Sequence, residues 1–465
     1  MQRRTFIAGL VSAAAAARAS QADARLKGAF RRPEKNGWIF VRLAGSPREI
    51  GFQHGFLLAP EIKDGHRVIS YNLTTDSKKD WRFFRETAEK VFWPRVEDEY
   101  RQELEGLVEG VNAKGVKLDL WDVVAYNAAL ELSPGYLNWH NQQPGSGVAA
   151  RIATADRCSA FVATGSYTRD GRVVIGHNAW TGYADGARWN IIFDITPAKG
   201  YRILMDGYPG YIHSGDDFGM NSAGILITET TISRFRGFDP NGIPEFVRAR
   251  KAMQYATSIN EFARLMREGN NGGYANNWLV ADRNANEIAS LELGLKNVEL
   301  RRTNDGYFSG ANFPVNEKLA REETDFPIDD PSDSSNARRL RWDQLMAEYR
   351  GKIDVQAGQQ FLSDHYDAFQ KKIDPNERTL CGHIDLSPRG LGTWQPPFGP
   401  AGAVQAKVTD ARLAERMSLT ASMGHSCGIH FRAGAHLRRY PKFNHLKPYL
   451  RDLPSRPWTV FETVQ

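Results

Sequence analysis

Residues 153–180 read ATADRCSAFVATGSYTRDGRVVIGHNAW, and the chain changes character at Cys158. Ahead of it, residues 133–156 (SPGYLNWHNQQPGSGVAARIATAD) are rich in Gly, Pro, Ser, Gln and Ala and have no periodicity, the signature of an exposed linker. From Cys158 onward, CSAFVATG and RVVIGHNAW are apolar, β-prone runs on either side of the turn signal Arg169-Asp170-Gly171. A hairpin turning near Asp170-Gly171 sets Cys158 opposite the 180–183 region. His177 and Asn178 then lie a pair or two away and, by strand alternation, on opposite faces. Breaking the Arg157–Cys158 bond would give Cys158 a free α-amine beside its thiol, a base and a nucleophile in one residue. The other reading of Cys158 is a buried structural cysteine.

Working outward, the upstream third is helical. Residues 46–73 and 81–115 carry apolar residues at helical spacing, with Pro94 dividing the second run and Gly110 or Gly115 closing it. A third helix is expected from Asp119 to about Leu132, ended by Pro134-Gly135. Downstream, strand runs (RWNIIFDITP, YRILMDGY, GILITETTI) lead into two helices, the second opened by a Ser258/Glu261 capping box. Strands return over 276–313 and helices at SSNARRLRWDQLMAEYRG and VQAGQQFLSDHYDAF. Strands and helices in blocks, without strict alternation, indicate an α+β fold with antiparallel sheets covered by helices: a four-layer αββα sandwich, or a β-sandwich with a separate helical domain.

The 465 residues, 41% hydrophobic, fill a substantial core, and the net charge of +6 is mild for this length. With no basic cluster interleaved with aromatics, nucleic acid is not an expected partner. Arg3-Arg4-Thr5-Phe6-Ile7, an apolar stretch to Ala17 and Ala22-Asp23-Ala24 read as a twin-arginine signal peptide over 1–24. A soluble periplasmic or secreted chain starting near Arg25 is then expected, with no transmembrane segment. Cys381 and Cys427 suit a disulfide in such a compartment, leaving Cys158 as the odd thiol. His425, Cys427, His430 and His436, with His383 nearby, are donors that suit zinc, but their spacing matches no standard zinc pattern, so no metal and no cofactor is expected. GMNSAGILI lacks a phosphate-loop lysine, and the acidic run REETDFPIDDPSDSS lacks EF-hand spacing and reads as a solvated loop capping a helix near Ser334.

An ordered set of motifs carries a resemblance: Cys158-Ser159-Ala160, HNAWTGY from His177, YPGYIHSGDDF from Tyr208, ETTI from Glu229, YANNW from Tyr274 and GAVQAKVTD from Gly402. Together they resemble the phospholipase B-like family of N-terminal-nucleophile (Ntn) hydrolases. GSPREIGFQHGFLLAPEI is similar to the start of the related autoproteolytic acyltransferases (penicillin acyltransferase-like), and the region after about Asp410 matches poorly. The resemblance implies an αββα Ntn-hydrolase sandwich, cleavage between Arg157 and Cys158, and a helical 25–157 chain that stays associated with a catalytic 158–465 chain. It implies Cys158 as nucleophile, Asn277 in an oxyanion hole, and His177 and Trp180 flanking the nucleophile. Asn178 and Asn276 join Trp180 as substrate contacts, and Asp216 and Asp217 match the family's paired acids. The implied substrate is a phospholipid fatty-acyl ester or another acylated small molecule. Amide hydrolysis or acyl transfer with the same nucleophile, and a non-catalytic periplasmic binding protein, stay open beside it.

Overall fold

The computed structural model describes residues 23–144, 158–215, 218–392 and 394–464. Residues 1–22 of the signal segment, residues 145–157 of the linker including Arg157, and Asp216 and Asp217 lie outside those residues. Strands β1 (Phe30–Arg31) and β2 (Ile39–Gly45) come first, then β3 (Cys158–Thr164), β4 (Val174–Gly182), β5 (Ile191–Pro197), β6 (Ile203–Gly207), β7 (Gly219–Asn221) and β8 (Ile225–Thr231). They are followed by β9 (Asn276–Asp282), β10 (Glu287–Leu293), β11 (Val298–Thr303), β12 (Gly306–Gly310) and the small hairpin β13 (Tyr366–Asp367) and β14 (Lys372–Ile373). The last three are β15 (Ala401–Asp410), β16 (Ser418–Met423) and β17 (Thr459–Glu462). Nine strands form one sheet in the order β1-β2-β5-β6-β7-β8-β9-β10-β11, and six form a second, β12-β3-β4-β15-β16-β17.

Three hydrophobic layers define the stacking. Between the sheets, Leu204, Leu226, Leu279 and Ile288 of the larger meet Ala160, Val162, Ile175 and Leu419 of the smaller. On the outer face of the larger sheet, Val41, Phe193, Ile227 and Trp278 pack under Leu104, Leu107, Phe246 and Phe262 of the helices. On the outer face of the smaller, Phe161, Ala163 and Val408 pack under Trp342, Leu345 and Phe361. Alternate residues of one strand feed different layers, which is the four-layer αββα sandwich. The upstream segment is not helical alone: β2 joins the larger sheet, parallel to β5.

The upstream helices are α1 (Pro47–Leu57), α2 (Ala59–Ser77), α3 (Trp81–Thr87), α4 (Asp98–Ala113), α5 (Leu120–Asn127) and α6 (Leu137–Asn141). The break at Pro94 falls where expected, in a short 3-10 turn over Trp93–Arg95. Ser46 and Asp119 close capping boxes on α1 and α5, each cap being worth about 1 kcal/mol. Gly110 does not end α4; Gly115 does, at φ +78°. A Cβ on Gly110 would lie 2.2 Å from the Phe52 carbonyl oxygen, and one on Gly51 1.8 Å from that of Glu103. Both glycines allow α1 and α4 to touch backbone to backbone, so neither tolerates alanine without separating the helices. The third helix also differs from expectation. Its chain continues past Pro134 through a π-turn (Glu131–Tyr136) into α6, with Tyr136 and Leu137 buried, so residues 133–141 are not the exposed linker that composition suggests.

Candidate active site

Cys158 is the first residue of β3, an inner strand of the smaller sheet, and is 2% exposed. It pairs with Ala179, just short of the expected 180–183 region, because a 3-10 turn over Gly165–Tyr167 takes up chain before the hairpin loop. Ser159 pairs with Asn178 and Ala160 with His177. Alternation puts Cys158 on the face of Ala160 and Val162, towards the larger sheet. Its main chain is held at both ends. The Cys158 N–H donates to Asn312 Oδ1 (3.4 Å), and Arg338 Nη1 donates to the Cys158 carbonyl (2.6 Å). Arg338 Nη2 donates to the same Asn312 oxygen (3.0 Å), and its guanidinium lies 4.3 Å from the centre of the Trp180 ring. Asn312, just after β12 at φ +69°, is in turn anchored by donating to the Thr231 carbonyl (2.9 Å). Arg338 belongs to helix α7 (Ser334–Glu348), which covers the outer face of the smaller sheet.

Asn277 of β9 and His177 of β4 share the inter-sheet face with Cys158. Asn277 Oδ1 accepts from Ser290 Oγ (2.7 Å), while its Nδ2 is buried with no hydrogen-bond partner among the described residues. Its cross-strand neighbour Thr230 abuts Gly310, which pairs with Ala160 on β3. A fixed amide donor with nothing to donate to is what an oxyanion site requires before substrate arrives. His177 is fully buried. Burial, helped by the Lys407 ammonium beside it, pushes its pKa well below the ordinary histidine value, while the backbone at Glu229 acts the other way. It is neutral at physiological pH. Lys407, its partner across β15, is paired with Asp206 of β6 (3.1 Å), both side chains wholly buried, and Ser214 Oγ and Gln405 Nε2 also donate to Asp206. This polar bridge ties the two sheets together beside Cys158.

The three residues expected to contact substrate do not share that face. Asn178 and Trp180 point outward, Asn178 donating to the Leu362 and Leu380 carbonyls and Trp180 packing with Ile384 and Ala403. Asn276 faces the helical layer, its amide oriented to donate to Glu229 Oε2 (2.9 Å). One-residue alternation separates them from their neighbours His177, Ala179 and Asn277. A cavity of about 460 Å³, lined by Pro134, Trp139, Ile232, Phe235, Phe238 and Tyr274, includes Thr231, whose carbonyl holds Asn312. Arg338 and Asn312 went unnoticed in sequence because an arginine in a helix and an asparagine in a loop carry no local signal. Only the 154-residue separation closed by the Cys158–Asn312 bond gives Asn312 its meaning.

A family described as Phospholipase B matches residues 66–297. Human Phospholipase B-like 1 is 24% identical over 453 residues, covering 85% of this chain and 77% of its own. An uncharacterised protein of Archaeoglobus fulgidus is 26% identical over 253 residues, 51% of this chain but only 40% of its own length. Among solved structures, a variant of conjugated bile acid hydrolase from Clostridium perfringens aligns with a TM-score of 0.33 at 11% identity, over 57% of this chain and 89% of its own.

Proposed function

We propose, from the premise that this chain is a relative of the phospholipase B-like proteins, that it is a self-processing hydrolase of acyl bonds with Cys158 as its N-terminal nucleophile. The observation that carries the reading is the cradle around Cys158: a buried strand-initial cysteine whose N–H and carbonyl are each held by a buried polar side chain. Attack of the thiol on the Arg157 carbonyl moves the upstream chain onto sulfur. Hydrolysis of that thioester frees the upstream carboxylate and the Cys158 α-amine.

In the processed protein the α-amine takes the thiol proton, and the thiolate attacks the substrate's acyl carbonyl. The developing oxyanion accepts a hydrogen bond from Asn277 Nδ2, and collapse leaves the acyl group on sulfur while the ammonium protonates the departing alcohol. Water, deprotonated by the amine, releases the acid. Asn312 Oδ1 accepts from the Cys158 nitrogen and from Arg338 together. The adjacent guanidinium disfavours the protonated amine, so the base titrates below the ordinary α-amino value of about 8. His177, neutral and buried, is a wall of the site and takes no proton.

The cavity beside Thr231, walled by Trp139, Phe235 and Phe238 together with Asn138, Arg236 and Glu322, is where this reading puts the acyl group, with the aromatic rings against a fatty-acyl chain and the polar rim against a phospholipid headgroup. Export by the twin-arginine route to the periplasm or beyond belongs to the same reading. Processed protein incubated with mixed phospholipid–detergent micelles and, separately, with N-acyl amino acids tests it by mass spectrometry of the products. Free fatty acid from the phospholipid is expected; turnover of the N-acyl amino acids alone would move the assignment to an amidase.

A further inference from the structure

On the outer side of the smaller sheet, away from the thiol of Cys158, four side chains from three chain segments meet. His365 follows the short helix Val355–Phe361, Cys381 and His383 precede the 3-10 turn Ile384–Leu386, and Cys427 follows β16. We propose that His365, Cys381, His383 and Cys427 form a tetrahedral two-cysteine, two-histidine site for a structural zinc ion.

The distances match the geometry. Zinc bonds of about 2.3 Å to sulfur and about 2.0–2.1 Å to nitrogen, at tetrahedral angles, separate the S and N ligand atoms by about 3.6 Å and two nitrogens by about 3.3 Å. His383 Nε2 lies 3.5 Å from Cys381 Sγ, 3.5 Å from Cys427 Sγ and 3.2 Å from His365 Nε2. All four ligand atoms fall within 4.8 Å of one another. Hydrogen bonding does not account for this cluster. A neutral His383 Nε2 has one proton or one lone pair to offer, and three polar neighbours crowd it. A cation at the centre engages all four groups at once.

The surrounding groups complete the arrangement. His383 turns its other ring nitrogen towards Asp385 (3.7 Å), whose carboxylate accepts from the Tyr183 hydroxyl (2.8 Å). A carboxylate behind a ligating histidine is a recurring partner that orients the ring and raises its basicity. His425 stacks on His383 with ring centres 3.9 Å apart and sets its Nδ1 3.7 Å from Cys381 Sγ. Cys381 and His383 are buried, while His365 and Cys427 are partly exposed and leave a way in. The two cysteines are not joined in a disulfide. The sequence reading, which expected no metal, weighed His430 and His436, which lie outside the cluster, and did not consider His365.

Four protein ligands leave no open position, so the ion holds structure and performs no chemistry. What it holds is the outer support of the nucleophile strand. Gly382, between two ligands, presses on the Trp180 ring, where a Cβ would come within 2.2 Å, and the guanidinium stacked on that ring is the one that holds the Cys158 carbonyl.

The test uses the full-length protein purified under reducing conditions without chelator. Elemental analysis is expected to find one zinc per chain. Cobalt(II) added to chelator-stripped protein should give the intense visible bands and thiolate charge-transfer absorption of a tetrahedral sulfur–nitrogen site. Cys427→Ser and His365→Ala should lose the metal, whereas His430→Ala and His436→Ala keep it. Should the ligand variants fail to fold, the cobalt titration of the unaltered chain still decides. Protein without zinc and without that cobalt spectrum, or a Cys381–Cys427 disulfide in non-reducing peptide maps, would overturn the proposal.

Discussion

Asn277→Ala separates a catalytic amide from a structural one. The substitution removes the hydrogen bond from Ser290 (2.7 Å), a loss of about 1 kcal/mol. Ser290 Oγ stays partnered, because Arg301 also donates to it (3.2 Å). The void left by the amide costs about 1 kcal/mol more. Against this, the variant no longer buries an unsatisfied N–H donor, whose penalty is about 1–3 kcal/mol. The terms nearly cancel, so Tm should move by no more than about 2–4 °C, the shift that roughly 1 kcal/mol produces in a mid-sized domain. Reactivity should not be spared. Loss of one oxyanion donor slows acyl transfer by about 100- to 1,000-fold, or about 2.7–4 kcal/mol. The assay compares two labels on the processed protein: a β-lactone, which acylates Cys158 through a tetrahedral oxyanion, and iodoacetamide, which alkylates it without one. Asn277→Ala should slow the first by that factor and leave the second unchanged. Equal slowing of both labels, or a large fall in Tm with acylation intact, would refute the oxyanion role.

Other outcomes follow from the same geometry. Arg338→Met removes the charged donor to the Cys158 carbonyl and one of the two donors to Asn312 Oδ1, so it should cost about 1–3 kcal/mol by urea unfolding and delay chain cleavage on denaturing gels; wild-type stability and cleavage would show the cradle to be idle. Lys407→Met strands the buried Asp206 carboxylate and should destabilise by about 3–5 kcal/mol, with Asp206→Asn in the same chain recovering much of it. Activity should rise from acid to mildly alkaline pH as the α-amine loses its proton, with a midpoint below about 8; a profile falling over that range would contradict the amine as base. Burial holds His54 at about 3, and its Nε2 must stay neutral to accept the Gly210 N–H (2.9 Å). A pKa depressed on folding gives stability that is present above the unfolded value of about 6.5 and lost as pH falls, at about 1.4 kcal/mol per pH unit for His54. Urea unfolding at two mildly acidic pH values should show that slope, and His54→Gln should flatten it.

Strand positions were legible because alternation and turn residues are local. CSAFVATG and RVVIGHNAW became β3 and β4, and NNWLVAD became β9. The stacking of the layers follows from which alternate residues are apolar. Register was less accessible: a 3-10 turn at Gly165–Tyr167 displaces the pairing of Cys158, and no turn signal announces it. The helix beyond Pro134 was hidden because Tyr136 and Leu137 are stabilised by tertiary burial, not by their own periodicity. At the site, the motifs pointed to His177 and Asn277, which share the inter-sheet face with Cys158, and alternation alone would have turned Asn178, Trp180 and Asn276 away. Asn312, Arg338 and His365 act only through contacts closed by the whole fold, so no window of sequence contains their roles.

The account rests on Cys158 becoming a chain end, and intact mass under denaturing conditions with N-terminal sequencing of every fragment tests that directly. Two chains are expected, one beginning Cys158-Ser159-Ala160, with Cys158→Ala giving a single uncut chain. A wild-type protein that stays in one piece, or a Cys158→Ala variant still cut at Arg157–Cys158, would contradict it.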